Sequence, residues 1–340
     1  MDDVIGEALD RLICVEMRYA SGVPRGIIHR LYDAARAEAG RPLTTLATEL
    51  LVKAVKPGDR VLIVTGAGAP PFLPYGETDG PLGAVAIAHA LDLALGAKPI
   101  FLSEERNLAP IAATAEAAGL SVLAEDMFAA RAASAMCVPL LMAPEDWEGQ
   151  AAALVEQHRP AAVIFVEKGG PNDKGRFHTI TGNGRDRTVM ASADALADAA
   201  GRAGIPTIGI GDGGNEIGFG RVTEAVAEIQ EFGRKCRCGC GGGIGTIVRT
   251  DVLMVAAISN WAGYALAAGI ALATDRPDAL HDLGIESDML AACARAGAVD
   301  GLNGRQMRGV DGTTAETQIA VMTMIHNIVS NARRPLRREF

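Results

Sequence analysis

From residue 60 onward, short apolar runs alternate with longer Ala-rich stretches. The runs "RVLIVTG" (60–66), "PIFLS" (99–103), "AAVIFVEK" (161–168), "PTIGIG" (206–211) and "VLMVAAIS" (252–259) lack internal polar alternation. That is the pattern of strands covered on both faces. Their alternation with helical stretches predicts an α/β fold: a mostly parallel, doubly wound sheet with helices on both faces. Ahead of it, Asp2 to Met17, Arg25 to Ala39 and Pro42 to Val55 read as helices, with Pro42 suited to a first turn. The expected organisation is an N-terminal helical segment (1–58) packed on a catalytic α/β domain (59–334, as one unit or two lobes). A basic tail (335–340) follows.

One apolar run needs separate treatment. Val252 to Thr274 carries no charge and is long enough to span a bilayer. It is Ala-rich rather than Leu-rich, however, and Ser259, Asn260 and Gly263 interrupt its middle. A buried strand followed by a buried helix is expected instead.

Composition narrows the function. The 340 residues are 49% hydrophobic, with 40 glycines and a net charge of −9. Such a chain can bury a large core, and its acidity argues against a nucleic-acid partner, which needs a basic stripe. The acidic opening "MDDVIGEALDRL" reads as an amphipathic helix rather than a secretory leader. Six cysteines in a chain of this length do not form a disulfide framework. A cytoplasmic protein is expected, with no membrane partner; homo-oligomerisation stays open.

Four polar, glycine-bearing segments follow directly on predicted strands: "GAGAPPFLPYGETDGPLGA", "EKGGPND", "GDGGNEIG" and "SNWAGY". In an open parallel sheet the carboxyl ends of the strands form the ligand crevice, so these segments converge on a site. In "GETDGPLGA", Pro81 suits a first helical position and Asp79 or Gly80 the N-cap. Glu77 and Asp79 at one strand end repel each other unless a cation lies near: a divalent metal, a substrate ammonium or a lysine.

"TIGIGDGGNEIGFG" (207–220) contains the Gly-x-Gly-x-x-Gly spacing of a dinucleotide loop at Gly209, Gly211 and Gly214. Asp212 and Glu216 would repel a pyrophosphate, and the region some 20 residues on is helical in pattern. The loop is therefore expected to handle a small molecule with both an amine and a carboxylate. Ser259, Asn260 and Tyr264 offer uncharged donors. The longer aperiodic stretch 167–188 holds Lys168, Asn172, Asp173 and His178 and reads as a flap or binding loop. Cys236, Cys238 and Cys240, at alternate positions, would share one strand face. They form either a metal site or a set of reduced thiols, with no obvious fourth ligand.

Together "ETDGPLGA" (77–84), "GIGDGGNEIGFG" (209–220), "DVLMVAAISNWAGYAL" (251–266), "AVDG" (298–301), "GVDG" (309–312) and "PRGI" (24–27) resemble the D-glutamate cyclase family. In eukaryotes that family forms the C-terminal catalytic region of a mitochondrial enzyme. The resemblance implies cyclisation of D-glutamate, or a close analogue, to 5-oxo-D-proline with loss of water. Phe219 and the flap depart from the family pattern.

The reaction needs a base for the amine, a proton for the departing oxygen and a neutralised γ-carboxylate. The expected assignment puts Glu77 and Asp79 on the ammonium group, directly or through Mn²⁺ or Mg²⁺, with no organic cofactor. Asp212 or Glu216 serves as base and acid. Asn215, Asn260 and the N–H groups of Gly211, Gly213 and Gly214 stabilise the oxyanion. Lys168 pairs a carboxylate, and Thr78, Asn172, Ser259 and Tyr264 line the site. Two alternatives stand beside this reading. One is a Mg²⁺-dependent transferase acting on a phosphorylated small molecule; the other is a non-catalytic small-molecule or metal-binding protein.

Overall fold

Successive residues of the strand Arg60–Val64 enter different cores. Val61 and Ile63 pack on one side of the sheet, Leu62 and Val64 on the other. Side chains alternate across a strand, so a run apolar at every position is what a sheet buried on both faces requires.

The computed structural model describes residues 1–17, 25–68, 70–142 and 145–334. Pro24 of "PRGI" and the basic tail lie outside these described residues. In chain order the helices are α1 (Asp3–Ile13), α2 (Ile27–Ala39), α3 (Leu43–Ala54), α4 (Pro81–Leu95), α5 (Leu108–Ala117) and α6 (Glu125–Ala130). They continue with α7 (Trp147–His158), α8 (Ala193–Arg202), α9 (Thr223–Ile229), α10 (Ser259–Ala273), α11 (Leu283–Arg295) and α12 (Ala315–Ala332). The strands are β1 (Arg60–Val64), β2 (Lys98–Glu104), β3 (Ser121–Val122), β4 (Ser134–Leu140), β5 (Ala162–Val166), β6 (Phe177–His178) and β7 (Gly184–Arg185). β8 (Thr207–Gly211), β9 (Val252–Val255), β10 (Gly309–Val310) and β11 (Thr313–Thr314) complete them.

Seven strands form the main sheet in the order β3-β4-β2-β1-β5-β8-β9, every neighbouring pair parallel. Helices α6, α7 and α8 cover one face, while α1 to α5 and α10 to α12 cover the other. The chain winds outward from β1 through β2, then returns to lay β5 on β1's opposite side. This reversal between β1 and β5 is the topological switch point, where open α/β sheets place their ligands.

The N-terminal helices and all five predicted strands form as expected, with small shifts at their ends. The strand β4 was not anticipated. "SAMCVPL" has little β-branching and contains Pro139, which is tolerated because β3 pairs only with the start of β4. The uncharged run divides into β9 and α10, and every residue from Ser259 to Ala271 is buried. No helix among the described residues is long and apolar enough to cross a membrane.

Candidate active site

The site begins with how two helices start. α4 follows β1 and opens on Gly80–Pro81, a sequence with no capping side chain of its own. α10 follows β9 and likewise lacks one. Each is capped by the other's leader. The N–H groups of Gly80 and Gly83 donate to Asn260 Oδ1 (2.9 and 2.7 Å), and Asn260 Nδ2 donates to Thr78 O (2.9 Å). In return the N–H groups of Ser259 and Asn260 donate to the Asp79 carboxylate (2.9 and 2.8 Å). The helices cross closely enough that a Cβ on Gly83 would sit 2.7 Å from Asn260 Cα, and one on Gly263 2.5 Å from Gly83 Cα. Only glycine fits at that crossing.

This lock presents Asp79 to the crevice beside acids from two other strand ends. Glu167 follows β5 directly and Asp212 follows β8. Carboxylate oxygens of Asp79, Glu167 and Asp212 lie within 4.8 Å of one another. Glu167 adopts φ 50°, a left-handed backbone that a long side chain rarely takes, and Ser259 Oγ donates to its Oε2. Glu77 faces the same space, against Gly301, where a Cβ would lie 1.8 Å from Glu77 Oε2. Asp311, also at a left-handed φ of 49°, approaches from the "GVDG" turn.

Asp79, Asp212 and Glu216 are 1%, 8% and 2% exposed. Glu77 and Glu167 each keep an accessible edge although protein surrounds their carboxyl groups. These two acids form the accessible edge of the cluster. Burial pushes the Glu77 carboxyl well above the usual range, reinforced by the charges of Asp311, Asp79, Asp212 and Asp300. Glu167 is raised in the same way by burial, then by Asp212, Glu216, Asp79 and Glu77. A cation entering this space would be strongly attracted. The oxygen-only set of Asp79, Glu167 and Asp212 fits a hard divalent ion such as Mg²⁺ or Mn²⁺.

The remaining expected site residues are placed differently. Lys168 is fully buried, donating from Nζ to Glu104 Oε2 (2.5 Å) and Gly66 O (3.0 Å). Burial alone would raise the Glu104 carboxyl, but Lys168 holds it below its ordinary value. This ion pair ties together the ends of β1, β2 and β5 and does not face the acids. The glycine N–H groups of "GDGGNEIG" serve its own acid: Gly213 and Gly214 donate to Glu216 Oε2 (3.2 and 2.8 Å). Gly211 leaves room for that carboxylate. A phosphate arriving here would find these donors taken.

Asn215 Nδ2 donates to His178 O, and Thr78 Oγ1 to Gly309 O. Asn172 organises its own loop, accepting from Lys174 and Arg176 N–H and donating to Gly243 O. Tyr264 donates to Glu286 Oε1 (2.7 Å) in a separate buried network with His281.

Sequence reasoning passed over Glu167, Asp300 and Asp311. Glu167 opens "EKGGPND", a segment read as following a strand, but within it only Lys168, Asn172 and Asp173 were singled out.

Outside the pocket, Cys236, Cys238 and Cys240 converge, but not as one strand face. Residues 234–246 form no strand; glycine turns with Gly239 and Gly241 at positive φ curl the chain until the thiols meet, with His178 as the fourth group. Burial opposes ionisation of the Cys236 thiol, yet hydrogen bonds from Cys238, Cys240 and His178 bring it down to about 6.

Fold and site together define an α/β protein with an acid pocket at the switch point of its sheet. The chain belongs to the D-glutamate cyclase-like, C-terminal family, whose model matches residues 9–326. Over 112 residues it is 32% identical to human "D-glutamate cyclase, mitochondrial", a stretch covering 32% of this chain and 16% of the human protein.

Proposed function

We propose that the protein cyclises D-glutamate to 5-oxo-D-proline with loss of water. The observation that carries this reading is the meeting of Asp79, Glu167 and Asp212, with Glu77 beside them, in one largely buried cluster of a D-glutamate cyclase-like chain. A zwitterion with two carboxylates can enter such a pocket only if its ammonium group meets the acids and its carboxylates meet a cation. Bound by Asp79, Glu167 and Asp212, a divalent ion would offset their charge and polarise the γ-carboxyl.

Glu77, at the accessible edge and raised in pKa by burial and its acidic neighbours, is suited to accepting and passing on protons. Its carboxylate takes a proton from the substrate ammonium, and the freed amine attacks the γ-carboxyl carbon. As the C–N bond forms, Glu77 passes this proton and then the second amine proton to one γ-oxygen. That oxygen departs as water when the amide forms. Ser259 holds Glu167 in place, and the Gly213 and Gly214 N–H groups hold the Glu216 carboxylate beside it. The ring closes within one molecule, so confinement of the folded substrate supplies much of the rate.

The test is incubation of purified protein with D- and L-glutamate, with and without Mn²⁺ or Mg²⁺, following 5-oxoproline. Faster product formation from D-glutamate, dependent on the metal, is expected. No product from either enantiomer under any of these conditions would overturn the reading.

A further inference from the structure

The thiol cluster has the dimensions of a coordination sphere. Cys236 Sγ lies 3.2 Å from Cys238 Sγ and 3.4 Å from Cys240 Sγ. His178 Nε2 lies 3.3 Å from Cys238 Sγ and 3.8 Å from Cys240 Sγ. A tetrahedral zinc ion with bonds of about 2.3 Å to sulfur and about 2.1 Å to nitrogen separates its ligand atoms by about 3.5–3.8 Å. All four groups are protein ligands, leaving no open position, which is the mark of a structural rather than a catalytic site.

The surroundings are built for thiolates. Backbone N–H groups of Cys238 and Cys240 hydrogen-bond the sulfurs of Cys236 and Cys238. Asn172 Nδ2 donates to Cys240 Sγ at 3.5 Å. Gly184 is where Cys238 presses on β7; a Cβ there would lie 2.8 Å from Cys238 Cβ. Meanwhile the loop carrying the thiols has neither helix nor strand to hold it.

We propose that His178, Cys236, Cys238 and Cys240 bind one structural Zn²⁺ that staples the β6–β7 hairpin to the 234–246 loop. The staple fixes the outer wall of the acid pocket. His178 O accepts from Asn215, Gly182 O from Arg237 N–H, and Gly214 O from Thr246 N–H, so hairpin, cysteine loop and "GDGGNEIG" turn are laced together. On binding, the protons still held by the thiols leave to solvent and His178 coordinates through Nε2 with its proton on Nδ1. The three thiolates and the ion leave a net charge of −1 on the centre.

The experiment is elemental analysis of the whole protein, purified without chelator from zinc-replete medium, followed by exchange with Co²⁺. About one zinc per chain is expected, released by thiol-directed mercurials. Co²⁺ should show the charge-transfer and ligand-field bands of a tetrahedral, thiolate-rich site. Cys240→Ser and His178→Ala should weaken zinc binding by about 100-fold or more. Glu167→Gln should keep its zinc, because that acid belongs to the other cluster. Protein without zinc, an iron–sulfur chromophore, or an intact mass lower by two hydrogens (a disulfide among these cysteines) would each overturn the proposal. So would loss of zinc in Glu167→Gln. If the cysteine variants fail to fold, the Co²⁺ spectrum of the unaltered chain still decides.

Discussion

The acid pocket and the thiol cluster are both sets of ligand-bearing side chains, but they are held in opposite ways. The acids sit at the ends of β1, β5 and β8, on a sheet buried on both faces and behind two helices that cap each other. Their positions follow from the fold even though their mutual repulsion opposes it. The thiols sit on irregular chain and His178 on a two-residue strand, tied to their surroundings only by scattered hydrogen bonds. A site for chemistry can thus be imposed on unwilling groups by a rigid scaffold, whereas a staple must assemble its own surroundings.

The largest effect that would sharpen this contrast is on turnover. Glu77→Gln should lower 5-oxoproline formation by about 10²–10⁴-fold. The variant should unfold at equal or higher denaturant concentration, since one charge leaves a repelling cluster. A variant that lost activity together with stability would mean that Glu77 supports the fold instead.

Next comes the scaffold. Asn260→Ala leaves the Gly83 N–H without its acceptor and the Gly80 N–H with Asp79 alone, and should cost about 1–3 kcal/mol in urea unfolding. In a double-mutant cycle with Asp79→Ala the losses should be strongly non-additive, because both substitutions open the same crossing.

A smaller effect concerns pH. Glu77 and Glu167 carry raised values in the folded chain, so above about 4.3 these two groups hold more protons than they do in the unfolded chain. With chelator present, their contribution to stability should therefore fall as pH rises, by up to about 1.4 kcal/mol per pH unit for each proton retained. It should stop falling above the folded values, and Mg²⁺ or Mn²⁺ should flatten the curve by offsetting the charge. Because His89, His158 and Cys236 are shifted downward and act in the opposite direction over this range, the decisive measurement is the difference from a Glu77→Gln, Glu167→Gln variant, and an unchanged pH dependence in that variant would contradict the clustering.

The smallest expected change is local. Stripping zinc should raise amide exchange in residues 168–184 and 232–246 while leaving β1, β5 and β8 protected. Loss of protection throughout the sheet would show that the two regions are not supported independently.

Much of the architecture could be read from the chain, because apolar runs without alternation have few other uses. The acid-bearing turns were legible for the same reason, as polar segments directly after strands. What stayed hidden depended on distant partners. Glu104 claims Lys168 from 64 positions away, and Asn260 reaches back 177 positions to Gly83. No local pattern announces that a helix will be capped by another helix. His178 was singled out, but its partnership with thiols 60 or so positions further on could not be seen from spacing. β4 escaped because a proline and small residues blur its strand character.

The reciprocal capping has a consequence for biosynthesis. β1 and α4 leave the ribosome early, yet the Gly83 N–H in the first turn of α4 lacks its side-chain acceptor until Asn260 has been translated. The pocket cannot be preassembled on the nascent first half. It comes into being late, when α10 threads against α4, and a chain interrupted before that point would carry most of its carboxylates and none of the cavity they line.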